Sequence, residues 1–487
     1  MIEGLKPYAE YKESGSKWLG EVPRHWSLRR LGASITDCAN GVWGSDPNGK
    51  DDLICVRVAD FDRVSHRVSL KKKTLRAIPL SARSRRLLRS GDLLLEKSGG
   101  GDLQPVGAVV SYDHDEPAVC SNFVARMPVA NGYISHFVVS LHFTLYAARI
   151  NVLSIKQTTG IQNLDSKAYL REVVAFPPPD EQAAIVRFLD HANRKIDGFI
   201  RAKRKLIGLL NEQKQAIIHR AVTRGLHPDV PLKPSGIPWL GDIPKHWEVR
   251  RLRTIVTKIE QGVSPQASGF LADGDSWGVL KSGCVNHGTF RQTEHKQLAK
   301  SFVIDPTIAV KVGDVLISRA CGSPKLVGSV GKVTALNYKL ILSDKTFRAT
   351  FGPIVDSDFM VYAMNGVYYR QQVEQAISGA DGMANNLPLS ELKGFVFAIP
   401  PLVEAAKIAS NLDAELVRFT TAIARTEREI ALMQEYRTRL TADLVTGKLD
   451  VREAAAKLPD LPTDAAAPAE PLTDEAPEES ETEEAEA

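Results

Sequence analysis

The chain has 487 residues, 43% hydrophobic and 25% charged, which at roughly 150 residues per domain implies two to four domains with cores of their own. No run of about 18 apolar residues is present and the opening Met1-Ile-Glu-Gly-Leu-Lys-Pro-Tyr8 lacks an apolar signal core, so a membrane span and export are not expected and the cytoplasm is the expected compartment. The formal charge of +4 divides unevenly: eleven acids and no base lie between Leu458 and Ala487, leaving 47 acids against 62 bases, a body of about +15 that suits a polyanionic partner.

The five cysteines (Cys38, Cys55, Cys120, Cys284, Cys321) form no C-x-x-C pair, which argues against a disulfide framework and a zinc site and leaves them as small packing residues. The first element is an aromatic box, Trp18-Leu-Gly-Glu-Val-Pro-Arg-His-Trp-Ser-Leu-Arg-Arg-Leu31, and it recurs as Trp239-Leu-Gly-Asp-Ile-Pro-Lys-His-Trp-Glu-Val-Arg-Arg-Leu252. A shared order of two Trp, a Gly, a Pro and a His defines a duplication before any single motif is weighed. His25 and His246, flanked by Pro and Trp in the two boxes, are read as packing residues.

An insert of mixed α/β character follows each box, residues 32–177 and 253–399. Asp92-Leu-Leu-Leu-Glu96 and Val106-Gly-Ala-Val-Val110 have the composition of strands. Helices are expected over Ile134–Asn151, closed by the turn Thr158-Thr-Gly160, and over Phe359–Gln375. The inserts share landmarks: Gly91-Asp with Gly313-Asp, Val106-Gly with Val327-Gly, Asn163-Leu with Asn386-Leu, and Pro178-Pro179 with Pro400-Pro401. Between the landmarks they have diverged.

After each double proline the apolar spacing lengthens to fours and threes. The second copy gives Leu412, Leu416, Phe419, Ile423, Thr426, Ile430, Met433, Arg437, Leu440 and Leu444. The first gives Leu189, Ala192, Ile196, Phe199, Lys203, Leu206, Leu210, Gln213 and Ile217. That is a coiled-coil seam, and the expected solution is an antiparallel pair of long helices. The predicted fold class is therefore mixed α/β (α+β): two globular domains in a tandem pseudo-twofold repeat, separated by two long antiparallel coiled-coil helices. The expected division is a box at 1–31, a first domain at 32–177, a central region with helix and second box at 178–252, a second domain at 253–399, a closing helix at 400–452 and a disordered acidic tail at 453–487.

Catalytic motifs are missing. Gly331-Lys-Val333 and Gly447-Lys-Leu449 lack the Ser/Thr and loop of a phosphate cradle, no G-x-G-x-x-G follows a strand, and the eleven His show no metal-ligand spacing. The double prolines lack the leading Asp/Asn and trailing aromatic of an adenine-methyltransferase box. Gly99-Gly-Gly101 is read as a flexible connection. Basic residues are dense at Lys71–Lys73, Arg76, Arg83, Arg85, Arg86 and Arg89, and again at Arg201, Lys203, Arg204 and Lys205. One such run is ordinarily a solvated face; their number points to phosphate contact.

The repeated W-L-G-x-[VI]-P-x-H-W box, the junctions Pro178-Pro-Asp-Glu-Gln182 and Pro400-Pro-Leu-Val-Glu404, the long helices and the closing Leu444-Val-Thr-Gly-Lys-Leu-Asp-Val451 resemble the specificity subunits of type I restriction–modification enzymes over residues 15–452. The first copy departs from that pattern by lacking Leu after its double proline, the second by Ala405 where Gln is usual. The resemblance implies two target-recognition domains, each reading half of a bipartite site on double-stranded DNA. It also implies helices that set the spacer and dock two methyltransferase subunits, with restriction subunits joining. S-adenosylmethionine, ATP and magnesium would then sit on the partners, and this chain would hold no cofactor, metal or catalytic residue. By position, base-reading candidates are Lys97, Ser98, Arg319 and Ser323 after the Gly-Asp strands, and Thr158, Gln162, Asn163, Asn385 and Asn386 before the junctions. Partner-binding candidates on the helices are Leu189, Ile196, Leu206, Leu416, Ile423 and Ile430. Two alternatives stay open: a coiled-coil adaptor without salt-dependent duplex binding, and an enzyme, active by itself, whose motif is unrecognised.

Overall fold

The computed structural model describes residues 5–101, 104–159, 161–378 and 385–459. The acidic stretch expected to be disordered lies, from Asp460 onward, outside the described residues. Its expected first residues do not: Arg452–Ala456 is a short helix, with Val451 and Ala455 buried. The chain forms two compact units, the first from residues 1–204 with 427–487, the second from residues 205–426. Each unit thus takes one box, one insert and parts of both long helices.

In the first unit a six-stranded sheet has the order Ala39–Asn40, Val124–Met127, Asp92–Glu96, Val109–Tyr112, Arg67–Val68, Phe61–Asp62. Strand Asp92–Glu96 is buried along its whole length, as its unbroken apolar run requires of a central strand. A second sheet joins Ala118–Cys120, Asp52–Val56 and Leu75–Ala77. Helix Ser135–Ala147 closes one side of the core through Phe137, Val138, Leu141 and Leu145. The expected turn at 158–160 does not end that helix: Thr158 and Thr159 belong to strand Ile155–Thr159, which pairs antiparallel with Ile161–Leu164, and Gly160 lies outside the described residues.

The second unit repeats the scheme with changes. Strands Val256–Gln261, Thr346–Phe351, Val315–Ser318 and Val330–Lys332 form its main sheet. A second four-stranded sheet joins Ala267–Ser268, His295–Leu298, Trp277–Leu280 and Lys339–Ile341. The helix expected over Phe359–Gln375 is broken into Ser357–Ala363 and Val367–Ala376, with Gly366 in extended conformation between them. In both units the last strand of the insert returns to the box. Val173–Phe176 pairs with Ser27–Arg30, and Val396–Ile399 with Glu248–Arg251.

Those pairings fix the register of the junctions. Phe176 opposes Ser27 and Ile399 opposes Glu248, so Phe176 corresponds to Ile399 and Pro177-Pro178, not Pro178-Pro179, corresponds to Pro400-Pro401. Pro179 then takes the place of Leu402. It opens the long helix Pro179–Arg224, at a position where a missing N–H costs nothing.

The second long helix is Leu402–Val445. Within the first unit the early part of one helix runs antiparallel to the late part of the other: Asp197 pairs with Arg437 and, six residues on, Lys203 pairs with Glu429 at 2.7 Å. Within the second unit Ile218, Ala221 and Val222 share a core with Ala405, Ile408, Leu412, Leu416 and Phe419. The expected seam holds along the second helix, where Leu412, Leu416, Phe419, Thr426, Arg437, Leu440 and Leu444 are all buried. Along the first helix it slips by one residue. Leu206 is 40% exposed and Gln213 is exposed, whereas Ile207 and Lys214 are half-buried. The steps 196, 200, 203, 207, 210, 214 keep a strict four–three alternation, which the run through Leu206 inverts.

Candidate nucleic-acid interface

The frame that holds each unit together centres on a buried carboxylate. Glu181, in the first turn of its helix, accepts hydrogen bonds from Trp26 Nε1 at 2.9 Å and from the Tyr8 hydroxyl, and its other oxygen lies 2.8 Å from His25 Nε2. In the second unit Glu404 accepts from Trp247 Nε1 at 3.1 Å and lies 2.6 Å from His246 Nε2. Both Trp rings are fully buried. The two His are therefore more than packing residues: each ties its box to the start of the long helix. Correct register would have found this, because it aligns Glu181 with Glu404 and Gln182 with Ala405.

A glycine closes each frame. Gly225 follows the first long helix with φ +72° and lies against Trp247; Gly447 follows the second with φ +78° and lies against Pro23 and Trp26. Each is the left-handed residue that ends a helix without a Cβ penalty. The last turn of each long helix therefore packs on a Trp box.

On this frame the two sets of base-reading candidates, separated by some 65 residues in sequence, come together. Ser98–Gly99 pairs antiparallel with Ile161–Leu164, Ser98 opposite Asn163 and Gly99 opposite Gln162. In the second unit Ala320–Cys321 pairs with Asn385–Asn386. The junctions superpose in detail: Leu164 N–H donates to Lys97 O and Leu387 N–H to Arg319 O, both at 2.8 Å. Lys97 N–H donates to Phe123 O at 2.8 Å and Arg319 N–H to Lys345 O at 2.9 Å.

The side chains differ. In the first unit Lys97 Nζ donates to Asn40 Oδ1 and the Ser98 hydroxyl to Asn163 Oδ1, each at 2.6 Å. Asn163 faces solvent; Gln162, its neighbour, faces inward, is 6% exposed, and accepts from Val106 N–H at 3.3 Å. Strand alternation removes Gln162 from the surface, so it braces the sheet. The backbone of Thr158 lies in the partner strand, and its side chain is outside the described residues. In the second unit Arg319 donates to Asp344 O at 3.0 Å and lies 5.8 Å over the Phe347 ring, Asn385 Nδ2 donates to Gly322 O at 3.1 Å, Asn386 sits in the same strand pair, and Ser323 is half-buried in the following turn.

A glycine that the sequence comparison passed over completes each surface. A Cβ on Gly41 would stand 2.1 Å from Cys120 O, and one on Gly262 1.9 Å from Leu342 O. Asn40-Gly-Val42 and Gln261-Gly-Val263 are the matching signal. Only Gly lets the segment that follows cross so close to the neighbouring backbone.

Much of the basic run proves to be internally paired. Arg76 pairs with Asp46 at 2.6 Å, Arg83 with Asp51 at 3.4 Å, Arg85 with Asp37 at 2.7 Å and Lys73 with Glu116 at 3.1 Å. Lys71, Lys72 and Arg89 are exposed. Of the helix candidates, Leu189, Ile196 and Leu416 are buried within their own units and Ile423 and Ile430 half-buried; Leu206 is on the surface. Among the described residues no cluster of three or more His, Cys, Asp or Glu has metal-binding geometry, and no helix is long and apolar enough to cross a membrane.

The chain thus uses one frame twice, each copy holding parts of both long helices, and known proteins resemble it. The chain is 25% identical over 298 residues to the MjaVIII type I restriction enzyme specificity subunit of Methanocaldococcus jannaschii, covering 60% of this chain and 66% of that one, just under two thirds of its length. It is 23% identical over 461 residues to the putative MjaX specificity subunit of the same organism, covering 91% and 98%. A solved chain from a study of type I restriction–modification complex assembly matches the fold with a TM-score of 0.59 at 15% identity, over 88% of this chain and 99% of that one. No family model matches. By sequence the chain is a relative of the type I restriction-enzyme specificity subunits.

Proposed function

We propose that the chain is the DNA-reading, non-catalytic subunit of a type I restriction–modification enzyme, with its two inserts reading the two halves of an asymmetric bipartite site. The observation that carries this reading is the matched backbone junction with unmatched side chains: beside the shared Asn163 and Asn386, Lys97 and Ser98 in one unit stand where Arg319 and Ala320 stand in the other. A shared frame fixes position on the duplex, and different side chains at the base edge read different sequences. The site is therefore not a palindrome. Methyltransferase subunits would dock on the helices, bring S-adenosylmethionine and methylate adenine; restriction subunits would add ATP-driven cleavage with magnesium.

Selection from a randomised duplex pool by the full chain with its methyltransferase partner tests the reading. One bipartite sequence with unlike halves is expected, bound with a steep salt dependence. Exchange of residues 32–177 for a relative's insert should change one half only. Duplex binding without salt dependence or selection supports the adaptor reading instead, and methylation or cleavage by the purified chain alone overturns the non-catalytic one.

A further inference from the structure

A pocket of about 520 Å³ opens in the first unit beside Ser98, a volume in the ordinary range for ligand sites. Two large rings line it and remain in water, Trp43 at 38% and Phe123 at 46% exposure. Trp43 is held in place: the Arg76 guanidinium lies 4.7 Å over its ring and is itself paired with Asp46. Phe123 is fixed through its carbonyl, which accepts from the N–H groups of Lys97 and Ser98. Gly99 and Gly100, both at positive φ, leave one wall without side chains.

The lining holds two charged groups: Arg57, whose Nε and Nη2 are taken up by Asp60, and Glu96, only 2% exposed. Its Oε2 accepts from Arg63 Nη2 at 2.9 Å and from Ala108 N–H at 3.4 Å, while Oε1 has no hydrogen-bond partner among the described residues. Burial pushes this carboxyl upward in pKa against the pull of Arg63. An ion pair that merely braces the sheet accounts for Oε2. It leaves without a role the two exposed rings and the second oxygen, which has no donor of its own among the described residues and is open to solvent.

The pocket does not belong to the shared frame. The strand and loop registers place Ser318 where Glu96 stands, Lys345 where Phe123 stands and Ser264 where Trp43 stands. The second unit has neither ring nor carboxylate at these places.

We infer that this pocket receives one unstacked nucleobase of the first half-site, a base bearing an exocyclic amine, with the amine donating to Glu96 Oε1 and the ring against Trp43 and Phe123. The inference rests on the DNA-reading function proposed above. Nucleobases stack on aromatic rings, and a carboxylate accepts from an exocyclic amine. Thymine has no such amine and turns two carbonyl oxygens outward, so it is the base refused.

Extrusion breaks a base pair, and a base already mispaired costs less to extrude. The test is a mismatch scan of the selected duplex, changing only the complementary strand, one position at a time, and measuring affinity for the full chain with its methyltransferase partner. Leaving aside the methylated adenine, which the methyltransferase partner extrudes for itself, one position in the first half-site should bind about tenfold tighter when mismatched, a gain that corresponds to about 1.4 kcal/mol. Trp43→Ala and Phe123→Ala, both at exposed rings and so compatible with folding, should abolish the gain, and Glu96→Gln should relax the refusal of thymine there. No position with a gain, or a gain that survives both ring substitutions, overturns the inference while leaving the DNA-reading function standing. Loss of all selective duplex binding brings down that function itself. Free deoxyadenosine, deoxycytidine or deoxyguanosine quenching Trp43 fluorescence at micromolar concentration, with no mismatch gain, overturns it in favour of a nucleoside site.

Discussion

The two units build one frame with different degrees of closure. Glu181 is 5% exposed and serves three donors; Glu404 is 27% exposed and serves two, because Asp229 stands where Tyr8 stands in the first unit. The first unit is closed by separate chain segments: the Asp450 N–H donates to Lys6 O at 2.8 Å, and the Arg452 guanidinium lies 5.3 Å over the Tyr8 ring. In the second unit, residues 221–236 run continuously through the equivalent place. The lesson is that a junction made from two chain segments carries more side-chain bonds than one made from continuous chain. Ordering two free segments costs conformational entropy that the continuous chain does not lose again.

Substituting the two carboxylates breaks or sharpens that contrast most directly. Glu181→Ala leaves buried Trp, Tyr and His groups without their acceptor and should cost about 3 kcal/mol, whereas Glu404→Ala, open to water, should cost about 1–2 kcal/mol. Hydrogen exchange resolved by unit checks the order; equal losses would show that the third donor contributes nothing.

The capping glycines come next. Gly447→Ala sets a Cβ 2.3 Å from Pro23 Cδ, and Gly225→Ala meets nothing nearer than 3.3 Å, though both are left-handed. Gly225→Ala should cost about 1 kcal/mol from conformation alone, and Gly447→Ala about 2–3 kcal/mol. Denaturant midpoints of the two variants test this.

Acid sensitivity should also be unequal. His142 is fully buried in the first unit with Nδ1 2.8 Å from the Tyr169 hydroxyl, and burial pushes its pKa down to about 3. Met364 holds the equivalent buried place in the second unit, counted from Phe137 and Phe359. The folded-state pKa is depressed, so the neutral ring's contribution is present above about 6.5 and is lost as pH falls towards 3, where the unfolded chain alone takes up the proton. At pH 5 the loss is on the order of 2 kcal/mol. His142→Met should reduce the stability–pH slope of the first unit over that window, the remainder coming from His66, which burial lowers to about 4, and leave the second unit unchanged.

The smallest expected effect on stability is at Leu206. Leu206→Glu lies off the seam and should change stability by less than about 0.5 kcal/mol, whereas Ile196→Ala, buried on it, should cost about 2–4 kcal/mol. If Leu206→Glu also weakens capture of the methyltransferase subunit in a pull-down, the exposed helix face docks it; unchanged capture removes Leu206 from that role.

The sequence by itself determined the duplication, the two long helices and the central strand of the first insert, whereas the helix expected over Phe359–Gln375 is broken and the strand expected over Val106–Val110 begins at Val109. The features it determined follow from local composition and spacing, which a chain carries into any tertiary setting. It placed Asp92–Glu96 as a strand, and seven of the ten seam residues from Leu412 to Leu444 are buried, with Ile423, Ile430 and Met433 half-buried. It misjudged phase wherever one residue decides the answer: Leu206 against Ile207 on the helix, Pro178 against Pro177 at the junction. A spacing rule fits either choice there, and only the packing partner selects one. The candidate site was legible as two separate segments, since Lys97-Ser98 and Gln162-Asn163 each stood beside a landmark. Only the tertiary structure joined them into one sheet and turned Gln162 inward, because pairing across 65 residues depends on how the intervening core closes. The same holds for Glu96, Trp43 and Phe123: nothing in their local sequence sets them apart, and the pocket they share exists only where three distant segments meet.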